Sequence, residues 1–230
     1  MSVSNSSTNP EISSGNKLDK NIMVVAKSRL LASHYFNGFV PNSYYRYHSI
    51  DQVEWVARDT VEQRFELKQI IPYVCLRHNR QLLTYRRTVK GSEQRLHNRI
   101  SIGIGGHIKE EIDNKPGLTF LDIIRMAMIR EFNEEVSIKW SEHGKHGRIR
   151  QVGYVNDDTD DVGLIHFGVV YCLDLITSEV ESIELLEDEL ADVRWLDYLQ
   201  LQQEAATSSL ESWSRIIFPA LLWGWNGGGI

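Results

Sequence analysis

Three glutamates in the middle of the chain have the spacing that most clearly indicates chemistry. Glu131, Glu134 and Glu135 fall at i, i+3 and i+4 of a predicted helix, so they share one face with Cβ atoms roughly 5–6 Å apart. Carboxylates this close repel one another unless a cation neutralises them, and such hard oxygen ligands suit Mg²⁺ or Mn²⁺. The spacing therefore predicts a divalent metal site, although a solvated acidic helix face is the plainer interpretation of the spacing alone.

The helix that must carry these glutamates has clear start signals. Thr119 is the expected N-cap, and Asp122 three residues later completes a capping-box pattern. Apolar residues then recur at steps of three and four, which predicts one buried face; its members are Leu121, Ile124, Met128, Phe132 and Val136. The three glutamates and Arg130 are expected on the opposite face.

The remaining apolar runs predict a mixed sheet. Strands are expected at 70–77, 82–87, 100–104, 148–155, 162–175 and 193–196, and later helices at 197–205 and 210–223. These elements do not alternate regularly, so a mixed sheet that carries helices is expected rather than a parallel βαβ series.

The sequence around the glutamates resembles the signature of the Nudix hydrolase family. The run REFNEEV, residues 130–136, contains the Arg-Glu-apolar-x-Glu-Glu core of that signature. Asp122 stands where the first Glu of the signature is expected, with seven residues between it and Arg130, and Gly106 lies upstream. Ser137 replaces the closing Gly, and the segment 107–121 is longer than the family spacing.

The wider frame is also similar to a bacterial Nudix subgroup described only as hydrolases or phosphoesterases. The resemblance extends over residues 67–200 and includes LLTYRR, SIGIGGHI and NDDTDDVGLIHFG. It implies an α/β fold, a Nudix-type α/β/α sandwich with a mixed β-sheet, assigned to 67–230. Residues 1–20, rich in Ser and Asn, are expected to form a disordered tail, and 21–66 an N-terminal extension.

The resemblance implies a Mg²⁺- or Mn²⁺-dependent hydrolase that cleaves a pyrophosphate linkage in a substrate of the nucleoside diphosphate-X type. In the family the glutamates of the signature bind the metal, so Glu131, Glu134 and Glu135 are the expected ligands, with Asp122 as a weaker fourth. Arg130 is expected to orient a carboxylate through a salt bridge.

Other site residues follow from the same resemblance. The family takes its general base from a later loop, for which Glu189 is the first choice, ahead of Glu187, Asp157 and Asp158. The residues expected to contact substrate are Gly105, Gly106, His107, Arg86 and Arg87. Strand alternation sends Arg86 and Arg87 to opposite faces, so at most one of them is expected to face a phosphate.

Two other functions stay open at this point. A Nudix-like module without activity could bind a nucleotide-type ligand and regulate a partner, which the departures at Asp122 and Ser137 would favour. A Nudix-fold isomerase could convert a diphosphate substrate without cleaving it. The substrate itself is not encoded in these motifs, because specificity in such a fold comes from loops and added segments.

Composition narrows the possible partners. The 230 residues carry 25 Lys and Arg against 31 Asp and Glu, a net charge of −6, which does not favour nucleic acid as a partner. No run approaches the roughly 20 apolar residues of a membrane span. Cys75 and Cys172 show no metal spacing and are expected as reduced thiols of a cytoplasmic protein. A homodimer is expected because the aromatic-rich ends offer apolar surface.

Overall fold

The computed structural model describes residues 20–32, 35–43, 53–90, 94–141, 147–176, 180–188, 190–207 and 209–222. The strands are β1 Asn21–Ala26, β2 Gly38–Pro41, β3 Glu54–Ala57, β4 Leu67–His78, β5 Gln81–Arg87, β6 Ile100–Ser101, β7 Gly103–Gly105, β8 Val136–Trp140, β9 Arg148–Asn156, β10 His166–Leu175, β11 Val180–Leu185 and β12 Leu190–Leu196. The α-helices are α1 Lys27–Leu30, α2 Arg58–Val61, α3 Glu110–Asp113, α4 Phe120–Glu135, α5 Tyr198–Ala206 and α6 Ser212–Leu222. Within this described part, no helix is long and apolar enough to cross a membrane.

One mixed sheet organises the molecule. Its main strand order is β12-β5-β4-β10-β9-β2, and β1, β3, β6 and β7 pair beside this path. The central pair β4 and β10 runs parallel, with Ile70 opposite Phe167, while the flanking pairs are antiparallel. Strands β8 and β11 form a separate antiparallel pair. The predicted mixed sheet is therefore confirmed.

Strand alternation divides the core into two layers. On β4, Ile70, Val74 and Leu76 face the layer that holds α4. The intervening Ile71, Tyr73 and Cys75 face the layer that holds α5 and α6. Because successive side chains of a strand point to opposite faces, one buried central strand anchors helices on both sides. The α/β/α sandwich expected from the sequence is present.

Helix α4 begins as predicted, but its buried face is rotated from the predicted stripe. Asp122 N donates to Thr119 Oγ1 (3.3 Å) and Thr119 N donates to Asp122 Oδ2 (3.1 Å), which completes the capping box. Leu121 is 52% exposed, contrary to the prediction. The residues of α4 that are buried are Ile123, Ile124, Ala127, Met128 and Glu131. Glu131 therefore belongs to the inner face, whereas a fully outward acidic face was expected.

The predicted strand 162–175 is wrong at its start. Residues Gly163–Ile165 form a short 3-10 turn, and β10 begins only at His166. The Asp160 side chain explains the difference, because its Oδ1 accepts a hydrogen bond from Gly163 N (2.7 Å). This local capping contact holds the segment in a turn despite its apolar composition.

The N-terminal segment is joined to the core by a buried cluster of charges. Lys68 Nζ, fully buried, donates to Asp158 Oδ1 (2.7 Å) and to the Gly163 carbonyl (2.7 Å). Lys27 Nζ lies 2.8 Å from Asp158 Oδ2. Tyr35 donates to the same carboxylate at 3.0 Å. Asp158 thus connects α1 and the segment after it to β4.

We predict that Asp158→Asn lowers the free energy of unfolding by about 3 kcal/mol at neutral pH, because it leaves the buried Lys68 ammonium without its counter-charge. Burial raises the pKa of Asp158, but hydrogen bonds from Lys27 and Lys68 outweigh it and lower that pKa from 3.8 to about 2. A lowered folded-state pKa stabilises the protein above the unfolded value, and this contribution is lost as the pH falls through the folded value. The difference in the free energy of unfolding between wild type and variant should therefore shrink as the pH falls from 3.8 towards about 2.

Urea unfolding across this pH range measures the effect. The control is Asp161→Asn, at an exposed acid of the same loop. An Asp158→Asn variant that unfolds like the control at neutral pH would contradict the proposed anchoring role.

Candidate active site

The glutamates of α4 line a cavity of about 310 Å³. The cavity is also lined by the Gly105–His107 loop after β7, the start of β1 and the start of α6. Its volume lies at the lower end of the range of small-molecule sites. Two layers of the sandwich and the N-terminal segment therefore meet at one concave site.

All three signature glutamates face this cavity. Glu131 is buried, Glu135 is half-buried and Glu134 is exposed. Helical spacing accounts for their convergence, and α4 is held in register by its capping box at one end and by β8 directly after its last residue. The structure thus brings together the three predicted carboxylates.

Arg130 fixes the most buried of these carboxylates. Its Nη1 donates to Glu131 Oε1 at 2.5 Å. The other edge of the guanidinium binds Asp113 through two hydrogen bonds, Nε to Oδ1 (3.0 Å) and Nη2 to Oδ2 (2.7 Å). Arg130 Nη2 also donates to the His107 carbonyl (3.1 Å). A planar guanidinium suits this bidentate geometry, so Arg130 has the orienting position that the resemblance implies.

Asp113 is a site residue that sequence reasoning missed. It is 2% exposed and accepts a hydrogen bond from Lys109 N (2.8 Å) as well as those from Arg130. It lies in a one-turn helix within the segment that the sequence showed only as longer than the family spacing. No periodicity marks it, and its partner Arg130 lies 17 residues later, on α4.

Lys109 supplies a cation between two of the carboxylates. Its Nζ lies 3.2 Å from Glu131 Oε1 and 3.8 Å from Glu134 Oε2. This ammonium relieves the repulsion that the helical spacing creates. In this arrangement no cluster of three or more His, Cys, Asp and Glu side chains in the described part of the chain has metal-holding geometry. The sequence did not single out Lys109, because the contact depends on a loop returning to α4.

The two glycines of the loop allow its backbone to pass close to neighbouring groups. A Cβ atom at Gly106 would overlap the Glu131 carboxylate. At Gly105 it would lie 2.5 Å from the Pro72 carbonyl. A side chain at Gly105 would meet backbone, and one at Gly106 would displace the Glu131 carboxylate, which agrees with the sequence prediction of a close backbone approach.

The opposite wall of the cavity is aromatic and internally hydrogen-bonded. Tyr73 donates to Glu211 Oε1 (2.5 Å), and its ring lies edge-on to Trp213 with centroids 5.6 Å apart. His166 lies between Trp213 and His107, with ring centroids at 6.5 Å and 5.7 Å. Burial lowers the pKa of His107 well below its usual value, with the nearby positive charge of Arg58 adding to this effect. His107 is therefore a neutral wall residue, and its Nε2 donates to Gln69 Oε1 (2.8 Å).

The two arginines of β5 separate as strand alternation predicts. Arg87 lines the cavity, and its Nε donates to Ser101 Oγ (3.1 Å). Arg86 instead donates to the Asn98 carbonyl (2.9 Å) and pairs with Asp192 at 3.6 Å, outside the cavity. Only Arg87 is therefore placed to meet a ligand.

Several other predicted site residues lie elsewhere. Asp122 is engaged in the capping box, nine residues and so about 14 Å along the helix axis from Glu131, which does not support it as a fourth metal ligand. Asp157 and Asp158 do not line the cavity, whereas Glu187 does. Glu189 lies outside the described residues, so its role as a base stays a prediction.

We predict that Asp113→Asn lowers the free energy of unfolding by about 3 kcal/mol, because it removes one of the two buried carboxylates that pair with the Arg130 guanidinium. Chemical denaturation at neutral pH measures the loss. Glu111→Gln is the matched control, since that exposed acid lies on the same short helix. Equal stability of the two variants would show that Asp113 does not anchor Arg130.

Comparison with known proteins agrees with this geometry. No model of a protein family matches the chain. Protein YmaB of Bacillus subtilis (strain 168) is 31% identical over 166 residues, which span 72% of this chain and 77% of that protein. The crystal structure of Tm1382, a candidate Nudix hydrolase, is similar with a TM-score of 0.64 and 25% identity, covering 88% of this chain and 98% of that one. The signature residues, the sandwich and these similarities together show that the chain belongs to the Nudix hydrolase family.

Proposed function

We propose that this protein is a divalent-metal-dependent hydrolase that cleaves a pyrophosphate linkage in a small, nucleotide-derived substrate. One observation carries the proposal: Glu131, Glu134 and Glu135 line a cavity together with the close-approach loop at Gly105 and Gly106. The backbone of this loop passes close to the Glu131 carboxylate at Gly106. An acidic helix face with no function would need neither the cavity nor the glycines.

The donor chemistry of the site fits the metal that the family implies. Three carboxylates supply the hard oxygen ligands that Mg²⁺ and Mn²⁺ prefer, and Lys109 already shows that a cation is stable between two of them. Glu131, Glu134 and Glu135 would hold the ion. When bound, it would neutralise charge on phosphoryl oxygens and lower the pKa of a bound water.

The protein's own residues would orient the ligands and accept a proton. Arg130, itself held by Asp113, fixes the Glu131 carboxylate, so that little reorganisation is needed when substrate enters. Glu187 is the candidate base that lines the cavity in the described part of the chain, and we propose that it accepts the proton of the attacking water. Glu189 is the alternative base from the same loop.

We predict that Glu134→Gln and Glu135→Gln each reduce turnover by on the order of 100-fold or more, because each removes a charged ligand from the reacting centre. The measurement is a panel of nucleoside triphosphates, nucleotide sugars and dinucleotides with Mg²⁺ or Mn²⁺, with all products detected by mass spectrometry. A chelator should abolish the activity as well. Glu111→Gln, at an exposed acid that does not line the cavity, should retain wild-type turnover.

The same panel separates the alternatives. Near-wild-type turnover in both glutamine variants would refute the proposed metal ligands. Thermal stabilisation by a compound that is never converted would indicate a binding module instead. A product of unchanged mass would indicate an isomerase.

We predict that Lys109→Met tightens the binding of Mn²⁺ roughly fivefold, because a partly exposed ion pair worth about 1 kcal/mol no longer competes for Glu131. In chelator the same variant should melt at a lower temperature, since the carboxylates lose their counter-charge. Electron paramagnetic resonance titration of Mn²⁺ and thermal denaturation measure the two effects. Lys139→Met is the control, because Lys139 pairs with Glu181 on the separate strand pair β8 and β11. Unchanged or weaker Mn²⁺ binding by Lys109→Met would contradict the proposed competition between Lys109 and the metal for Glu131.

A further inference from the structure

Two cations of the N-terminal segment reach the cavity. Lys20 directly precedes β1, and Arg58 is the first residue of α2; both line the cavity. The pairing of β1 with β3, which sets Asn21 opposite Ala57, brings the two residues together. A backbone hydrogen bond from Arg58 N to the Lys20 carbonyl (3.3 Å) holds them side by side. The fold thus builds a cationic pair, Lys20 and Arg58, on one edge of the cavity.

This cationic pair lacks the counter-charges that the other cations of the cavity have. Lys109 is paired with Glu131, and Arg87 Nε lies 3.8 Å from the Glu211 carboxylate. Arg58 Nε is buried and has no hydrogen-bond partner, and neither Lys20 nor Arg58 forms a salt bridge within the described residues. A buried donor left unpaired costs free energy, and an acceptor brought by a ligand would recover it.

The cationic pair lies beside the proposed reaction centre. Ile22 of β1 forms a bridge with Lys109, and Met23 N donates to the Ile108 carbonyl (3.0 Å). Strand β1 therefore packs along the same segment that continues from Gly106 to the carboxylates of α4. A ligand that places a diphosphate at those carboxylates can extend within one cavity to the cationic pair.

We propose that Lys20 and Arg58 form an anion site for a phosphate group that the substrate carries beyond the cleaved diphosphate. Two adjacent positive charges match a phosphate dianion, and the guanidinium fork matches its oxygen geometry. The substrate class is then a diphosphate compound that also bears a phosphate monoester or a further terminal phosphate. This assignment of substrate class rests on the proposed function, whereas the anion site itself is testable without it.

Binding of inorganic phosphate in the presence of a chelator tests the anion site directly, because no metal and no turnover are involved. A ³¹P NMR titration should show one phosphate bound per wild-type chain. Arg58→Gln and Lys20→Gln should each weaken this binding by about tenfold, and Arg58→Lys, which keeps the charge but loses the fork, should fall between them and wild type. Arg29→Gln is the matched control, at an exposed arginine of the same segment that does not line the cavity.

Two results would overturn the proposal: no phosphate binding by wild type, or an Arg58→Gln variant that binds as wild type does. Thermal denaturation of each variant establishes that it is folded. The Glu134→Gln variant should bind phosphate at least as tightly as wild type, because it removes negative charge from the cavity. Absence of hydrolysis alone would therefore refute the proposed enzymatic activity. Absence of Arg58-dependent phosphate binding alone would refute the anion site.

Discussion

Repulsion among the carboxylates of α4 is the constraint on which the rest of the site depends. Helical spacing places Glu131, Glu134 and Glu135 on one face, and burial of Glu131 makes its charge more costly. Two cations, Arg130 and Lys109, reduce this cost because each contacts Glu131. Asp113 in turn neutralises Arg130. Arg130 and Lys109 therefore offset only part of the charge of these four carboxylates.

The sandwich explains how these charges are held. Helix α4 packs on one face of the sheet through Ile124 and Ala127, while Trp213 closes the cavity from the layer on the other face. The close approach at Gly106 then brings the loop between them against Glu131. The site lies where both layers and the N-terminal segment meet, so its shape depends on long-range packing rather than on any one element.

Local signals predicted the parts of the site that lie within one element. The capping box at Thr119, the helix and its three glutamates follow from short-range spacing, and the central strands follow from apolar runs. Asp113, Lys109 and Arg58 were not predicted, because a charged residue in a loop or a one-turn helix has no periodicity, and its role comes from a contact made elsewhere in the fold. The pairing of β8 with β11 was missed for the same reason: its strands are separated by β9 and β10 along the chain. The predicted apolar stripe of α4 was wrong at Leu121, which is exposed, because the buried face of the helix runs through Glu131 instead.

The central claim is that the acidic face of α4 is a divalent-cation site. An anomalous difference map, recorded near the manganese edge from crystals grown with Mn²⁺, tests it most directly. We predict a peak beside Glu131, Glu134 and Glu135, with the Lys109 ammonium moved away from Glu131. Lys109 still paired with Glu131 and no peak at these carboxylates, at a Mn²⁺ concentration that supports turnover, would contradict it.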